Sequence, residues 1–365
     1  MRVLVVNAGS SSLKLRVLDE SDKVTATADL PAPRGSAEAA AVEAALRSLG
    51  DAEAAGYRIV HGGTSFTAPV RVDDAVLAKL RALTDLAPLH QPKSLAAVAA
   101  VQRALPGLPG VACFDTAFHA TIPAAAATYA LPREWRQRWA LRRYGFHGLS
   151  HSYCSRRAAE LAGPGRIVTC HLGAGASLAA VREGVSVDTT MGFTPLEGLV
   201  MATRSGSVDP GLVLWLEEHA GTPPAELAAT LEHRSGLLGL AGTADMREVV
   251  AGAAAGEPDA RLALDVYTHR LRAGIAAMTA ALGGLDVLVF TGGVGENSPA
   301  VRSEAAAGLG FLGVRVDAER NASAANGGDW EIGHAGAPVR SFVIAAREDI
   351  EIATQVRAVL GVDGR

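Results

Sequence analysis

Two turns built from glycine and small polar residues are the features of this sequence best suited to chemistry. The apolar run 3–6 breaks into Asn7-Ala8-Gly9-Ser10-Ser11-Ser12 and resumes as Leu13, Leu15 and Val17. The run 167–170 breaks into His171-Leu172-Gly173-Ala174-Gly175-Ala176-Ser177 and resumes at 178–181. Each reads as a strand, a turn and a returning strand, in which glycine lets the backbone approach a ligand and hydroxyls or amides donate to it. Such turns suit phosphate. Two of them on related strand frameworks predict a duplicated α/β domain gripping a nucleotide between the copies, and hence phosphoryl transfer. Alternation puts Ser12 and Lys14 on one face of the first returning strand, so Lys14 is expected to point at phosphate.

The elements that must position these groups alternate. A short strand at 58–60 ends in His61-Gly62-Gly63, and a strand at 111–114 delivers Asp115 at its carboxyl end, where open α/β sheets carry their chemistry. Helical spacing covers 37–49, 74–86 and 92–105, and a further strand covers 22–30. The second half repeats the plan with insertions: a hairpin at 167–181, helices at 210–219, 224–233 and 259–282, a strand at 286–290, a strand at 339–345 and a closing helix at 349–360 capped by Asp349. The strand at 286–290, followed by Thr291-Gly292-Gly293-Val294-Gly295-Glu296-Asn297, is expected to mirror the strand ending at Asp115. Repeat logic gives two domains, 1–118 with 350–365, and 119–349.

A chain of 365 residues that is 49% hydrophobic supports two packed cores. Its formal charge of −4 and lack of like-charge runs argue against nucleic-acid and membrane-surface partners. The arginine-rich stretch 133–143 is interrupted by Trp135, Trp139 and Leu141 and reads as an amphipathic helix. No apolar run approaches the roughly 18 residues of a membrane span, and the first residues read as a strand rather than a signal peptide, so a cytoplasmic location is expected. Cys113, Cys154 and Cys170 fit neither a disulfide set nor a zinc spacing and read as buried thiols. His61, His90, His119 and His151 read by default as structural. Neither a Gly-x-x-x-x-Gly-Lys-Ser/Thr loop nor a strand-to-helix Gly-x-Gly-x-x-Gly is present, so neither a P-loop enzyme nor a dinucleotide dehydrogenase is supported.

Ten segments, "VNAGSSSLK", "RIVHGG", "LAPLHQP", "FDTAFH", "RRYGFHGLSH", "HLGAGAS", "MGFTPLEGLVMATRSG", "DMR", "FTGGVGENS" and "AREDIEIA", in this order over nearly the whole chain, resemble acetate kinases. The resemblance implies the duplicated ribonuclease H-like fold of the acetate and sugar kinase, actin and chaperone-ATPase superfamily, with the nucleotide in the interdomain cleft. It also implies a homodimer, ATP and ADP as substrates, acetate as the partner substrate, and Mg2+ or Mn2+. By the same resemblance Arg58 and Arg204 match two active-site arginines, and His147 matches a histidine that hydrogen-bonds the transferring phosphoryl group. Asp115 is read as orienting an arginine and helping to hold the metal, with Asn7 and Glu348 on the metal side. Ser10, Ser12 and Lys14 match a first phosphate loop and His171, Gly173 and Gly175 a second. Gly292, Gly293, Gly295 and Asn297 match an adenosine segment, Asp245 and Arg247 a further adenosine-side motif, and Val60, Leu89, Phe146 and Pro195 an acyl pocket.

The residue types suit that chemistry. A carboxylate nucleophile is already ionised at neutral pH, with a pKa near ~4, so no general base is required. What is required is relief of repulsion between two anions and in-line positioning, and a guanidinium stays charged and offers a planar fork to oxygen. A propionate or other short-chain carboxylate kinase remains the alternative. A sugar kinase needs a polar pocket with a base, and an actin- or chaperone-like switch has no use for paired arginines beside a methyl-sized pocket. Two departures stand out: Ala174 replaces the asparagine usual in the second loop, and the segments 19–56 and beyond 310 are shorter than the family's, which should affect the surface only.

Overall fold

The computed structural model describes residues 1–9, 12–31, 39–88, 90–324 and 327–361. Its strands, in chain order, are β1 (Val3–Ala8), β2 (Ser12–Leu18), β3 (Val24–Pro31), β4 (Ala54–Ile59), β5 (Val70–Arg71), β6 (Gly110–Phe114), β7 (Arg166–Leu172), β8 (Ala176–Arg182), β9 (Val185–Thr189), β10 (Val287–Thr291), β11 (Trp330–Glu331) and β12 (Arg340–Val343). They form two six-stranded sheets, ordered β3-β2-β1-β4-β6-β5 and β9-β8-β7-β10-β12-β11. In both, the first three strands form an antiparallel meander, the next two join its first strand in parallel, and a two-residue strand closes the edge antiparallel. Even the slip in the meander recurs, between Val17 and Leu18 in one sheet and between Ala180 and Val181 in the other. This is the duplicated ribonuclease H-like, actin-type plan. One correspondence differs from expectation: β10 joins β7 as β4 joins β1, so β10 mirrors β4, and β12 mirrors the strand that ends at Asp115. Parallel pairing, which a linear motif order does not display, decides the match.

The described residues pack as two compact units, one comprising Met1–Ala120, Phe146–Tyr153 and Arg347–Arg365, the other Thr121–Gly145 and Cys154–Ala346. In the first unit Leu4, Val6, Leu15, Tyr57 and Phe114 line one face of the sheet, beneath helices Ala39–Ser48 and Gln91–Ala104. Val3, Val5, Val111 and Cys113 line the other, beneath the last helix, Glu348–Val359, through Ile352 and Val356. Each such aliphatic side chain contributes about 1.5–3 kcal/mol on burial, which holds this helix against the sheet. Gly56 admits it: a Cβ there would lie 2.3 Å from Ile352 Cγ2.

In the second unit the helix Pro258–Leu282 lays Leu264, Leu271, Ile275, Met278 and Leu282 along one stripe against the sheet, opening with Pro258 and ending at Gly283 in the left-handed region. Some local expectations shift. The helix expected at 74–86 stops at Ala82 and continues as a 3-10 turn, Thr84–Leu86. The final helix begins at Glu348 with Arg347 in the cap position, so Asp349 is a first-turn residue ion-paired to Arg347 rather than the cap. Around 133–143 a helix does form, Arg133–Trp139, yet none of its residues is buried and Trp135 and Trp139 stay 48% exposed. The three cysteines are buried and none is in a disulfide among the described residues. Among the described residues no helix is long and apolar enough to cross a membrane.

Candidate functional site

In the first unit, parallel strands deliver three polar side chains to one sheet edge. Val6 pairs with Tyr57 and Arg58 with Cys113, so Asn7 at the end of β1, Arg58 near the end of β4 and Asp115 just beyond β6 lie together at the carboxyl ends. Their face is the one covered by the last helix, whose first residue is Glu348. Arg58 donates from Nε to Asp115 Oδ1 at 3.1 Å and from Nη2 to Oδ2 at 2.7 Å, a two-pronged ion pair. Its Nη1 donates to Asn7 Oδ1 at 3.1 Å and lies 3.7 Å from Glu348 Oε2, which accepts from Asn7 Nδ2 at 3.0 Å. Burial opposes the charge on Arg58, but Asp115 and Glu348 outweigh it and raise the pKa above its ordinary value. Burial pushes the Asp115 carboxyl up, against the pull of Arg58.

One guanidinium faces two carboxylates and an amide oxygen here. Carboxylate and amide oxygens are the donors that suit a hard divalent cation. Among the described residues no three His, Cys, Asp or Glu side chains converge into a metal cage. A cation of that kind that keeps several waters needs only one or two protein oxygens and completes its shell with phosphate oxygens.

Beside this cluster, His147 is one of few non-glycine residues in the left-handed region, at φ 54°. An L residue held there costs of order 1–3 kcal/mol and persists only where its surroundings over-determine it. The determinants are visible: His151 N–H donates to His147 O, and His119 Nε2 lies 3.0 Å from the preceding carbonyl, that of Phe146, a contact that requires the proton on Nε2. The Phe146 ring meets His61 edge-on at 5.5 Å, and Val60 and Phe146 are both buried. Burial lowers the pKa of His61 and of His119 to about 4, so both are neutral near pH 7. Ser12 opens β2, its carbonyl accepting from Gly9 N–H at 2.8 Å to close the first turn, and Lys14 is exposed on the same strand. Ser10 and Leu89 lie outside the described residues.

In the second unit β7 and β10 pair His171 with Thr291. The chain then turns at Gly292, where φ is 78° and a Cβ would sit 2.8 Å from Leu172 O. Gly295 also packs on Leu172, so the turn bearing Gly173 and Gly175 and the short helix Gly292–Asn297 are adjacent. Gly293 is open to solvent, and Asn297 donates from Nδ2 to Gly293 O at 2.9 Å. Ala174 is exposed while its carbonyl accepts from Ala202 N–H at 3.1 Å. Arg204 is half-buried: Nη1 approaches Pro195 O at 3.4 Å and Met201 Sδ at 3.9 Å, and among the described residues it makes no ion pair. Burial lowers its pKa, and Glu232 offsets this only in part. Asp245 and Arg247 are explained by local structure. Asp245 accepts from Arg247 N–H as the N-cap of helix Met246–Ala255, and the two side chains pair at the surface.

Sequence reasoning missed several supporting groups. Glu296 Oε1 accepts from the amides of Gly292 at 3.1 Å and Ala346 at 3.0 Å. Arg302 is wholly buried and donates to the carbonyls of Gly295 and Glu296, which fixes the end of the glycine-rich helix. Tyr129, Arg143 and Glu197 form a further network. Glu197 stood inside a quoted motif, and an acid in a glycine-, threonine- and proline-rich loop was the available signal.

The Acetokinase family pattern matches residues 35–354. The chain is 45% identical to the acetate kinase of Deinococcus deserti across 99% of this chain and 98% of that protein. It is similar to the solved structure of Porphyromonas gingivalis acetate kinase, with a TM-score of 0.90 and 36% identity over 98% of this chain and 99% of that one. It is also similar to a propionate kinase from Francisella tularensis, with a TM-score of 0.89 and 34% identity over 97% and 98% of the two chains. With its family pattern, near full-length identity and duplicated architecture in agreement, the chain belongs to the Acetokinase family.

Proposed function

We propose that this protein catalyses reversible transfer of the γ-phosphoryl group of ATP to acetate, giving acetyl phosphate and ADP by direct in-line displacement. A carboxylate oxygen forms the new P–O bond as the bond to the β,γ-bridging oxygen breaks, and ADP leaves with that electron pair. The observation that carries the reading is Arg204, a desolvated cation with no carboxylate paired to it among the described residues, at a position matching a family arginine. A half-buried charge in that state favours an incoming anion. Arg58, oriented by Asp115, supplies the second positive charge. His147 hydrogen-bonds the transferring group, and Val60, Leu89, Phe146 and Pro195 take the methyl end of acetate.

Ser10, Ser12, Lys14, His171, Gly173 and Gly175 serve the phosphates, and Gly292, Gly293, Gly295 and Asn297 the adenosine. Magnesium, held from the protein side by Asn7 and Glu348, supplies charge neutralisation on the phosphate oxygens when bound. The enzyme works as a homodimer in the cytoplasm.

A propionate-directed variant is the second reading, favoured by the likeness to a propionate kinase. Acyl hydroxamate formation with acetate, propionate and butyrate, alongside ADP release with a sugar, tests both. Acetate should lead, with propionate lower by roughly 10- to 200-fold, since one methylene is worth ~1–3 kcal/mol. A lead for propionate selects the second reading, and no hydroxamate from any carboxylate rejects both.

A further inference from the structure

The connection from β9 to helix Pro210–Ala220 carries Pro195 and Arg204 yet contains no regular helix or strand. Its backbone is held by side chains from elsewhere in the second unit. Arg143 donates from Nη1 to the carbonyls of Thr190 and Met191, both at 3.1 Å, and from Nη2 to Glu197 Oε1 at 2.6 Å. The Tyr129 hydroxyl accepts from Phe193 N–H at 2.9 Å and donates to Glu197 Oε2, while the guanidinium of Arg143 stands 5.6 Å over the Tyr129 ring. The amides of Tyr144 and Gly145 reach the Gly192 carbonyl at 3.0 and 3.3 Å. At Gly192 a Cβ would fall 1.7 Å from Glu197 Oε2, so the turn closes directly on this carboxylate.

Beyond Glu197 the connection binds itself, Gly198 N–H to Ser207 Oγ and Ser207 N–H to Gly198 O, both at 3.0 Å. A constraint applied at 190–197 is thereby passed to the segment bearing Arg204.

We propose that Arg143, Glu197 and Tyr129 are positioning residues that fix the connection carrying Pro195 and Arg204 for carboxylate binding, an inference that rests on the function proposed above. An apolar anchor would hold the loop without burying charge. A two-pronged guanidinium and a doubly engaged carboxylate add what apolar contact lacks, a defined direction. None of the three touches the reacting atoms in this reading.

The test uses the full chain with Tyr129→Phe, Glu197→Gln and Arg143→Lys. It measures KM for acetate, kcat, the ADP dissociation constant and the thermal midpoint. Misplacement of reacting groups by a fraction of an ångström to about 1 Å costs up to roughly 100-fold, so kcat/KM for acetate should fall roughly 10- to 100-fold while ADP affinity stays within about twofold. Arg143→Lys keeps the charge but loses the fork and should show the larger deficit. Unchanged acetate kinetics in all three overturns the proposal, as does an equal loss of ADP affinity, which marks general loosening. Should Glu197→Gln fail to fold, Tyr129→Phe, which removes one hydroxyl, decides. The unaltered chain is assayed in parallel: inactivity with acetate there rejects the functional reading and the clamp with it, whereas activity there with unaltered variants rejects the clamp alone.

Discussion

Arg58 and Arg204 are one side-chain type in two electrostatic states. Arg58 is matched by a two-pronged bond to Asp115, by Asn7 and by the nearby Glu348. Arg204 has a proline carbonyl and a thioether beside it and no ion pair among the described residues. The first unit thus fixes its cation within its own fold, whereas the second holds a cation whose desolvation Glu232 offsets only in part. A guanidinium already saturated by acids can orient and bridge. One without a counter-ion gains most when an anion arrives. The phosphoryl acceptor and the transferring group are both anions, and the division of labour follows from that.

Replacement of each arginine by alanine separates the two states. Arg58→Ala leaves Asp115, only 1% exposed, without its counter-charge, so it should lose stability by about 3–5 kcal/mol in denaturant titration as well as losing turnover. Arg204→Ala should reduce turnover by roughly 10²- to 10³-fold, as loss of one preorganised donor does, with no drop in thermal midpoint. Equal destabilisation by the two changes would abolish the contrast between the units.

Smaller changes sharpen the second unit. Ala174 is exposed in its turn, so Ala174→Asn should add a hydrogen bond to a charged phosphate worth ~1.5 kcal/mol, about a tenfold gain in calorimetric ADP affinity with magnesium present. Weaker binding instead would mean that the turn is built around alanine. Asp245→Ala should cost about 1 kcal/mol through loss of a helix cap and leave ADP affinity unchanged. A clear fall in ADP affinity would support an adenosine-side role for Asp245 and Arg247.

The parts legible in the sequence are those written in local pattern. Period-two alternation broken by glycine announced both hairpins, and a polar residue closing an apolar run announced Asp115. Pairing between distant strands carries no local signal, so β10 was aligned with β6 when hydrogen bonding aligns it with β4. Backbone conformation at a single residue is similarly silent: nothing in "GFHG" states that His147 adopts positive φ as Gly145 does. The role of Arg143 and Tyr129 was illegible because it depends on reaching backbone carbonyls, a backbone amide and a carboxylate some fifty to seventy residues away. The cap of the last helix was misplaced because Asp349 has the composition of a cap but pairs with Arg347.

The stereochemical course at phosphorus tests direct transfer between bound substrates most immediately. ATP made chiral at the γ-phosphorus should yield acetyl phosphate with inverted configuration, because an anionic acceptor held in line requires one displacement and no phosphorylated side chain. Net retention would contradict that, since two displacements would then run through an enzyme nucleophile such as Glu348 or a histidine, and the roles assigned to Arg58 and Arg204 would fail together.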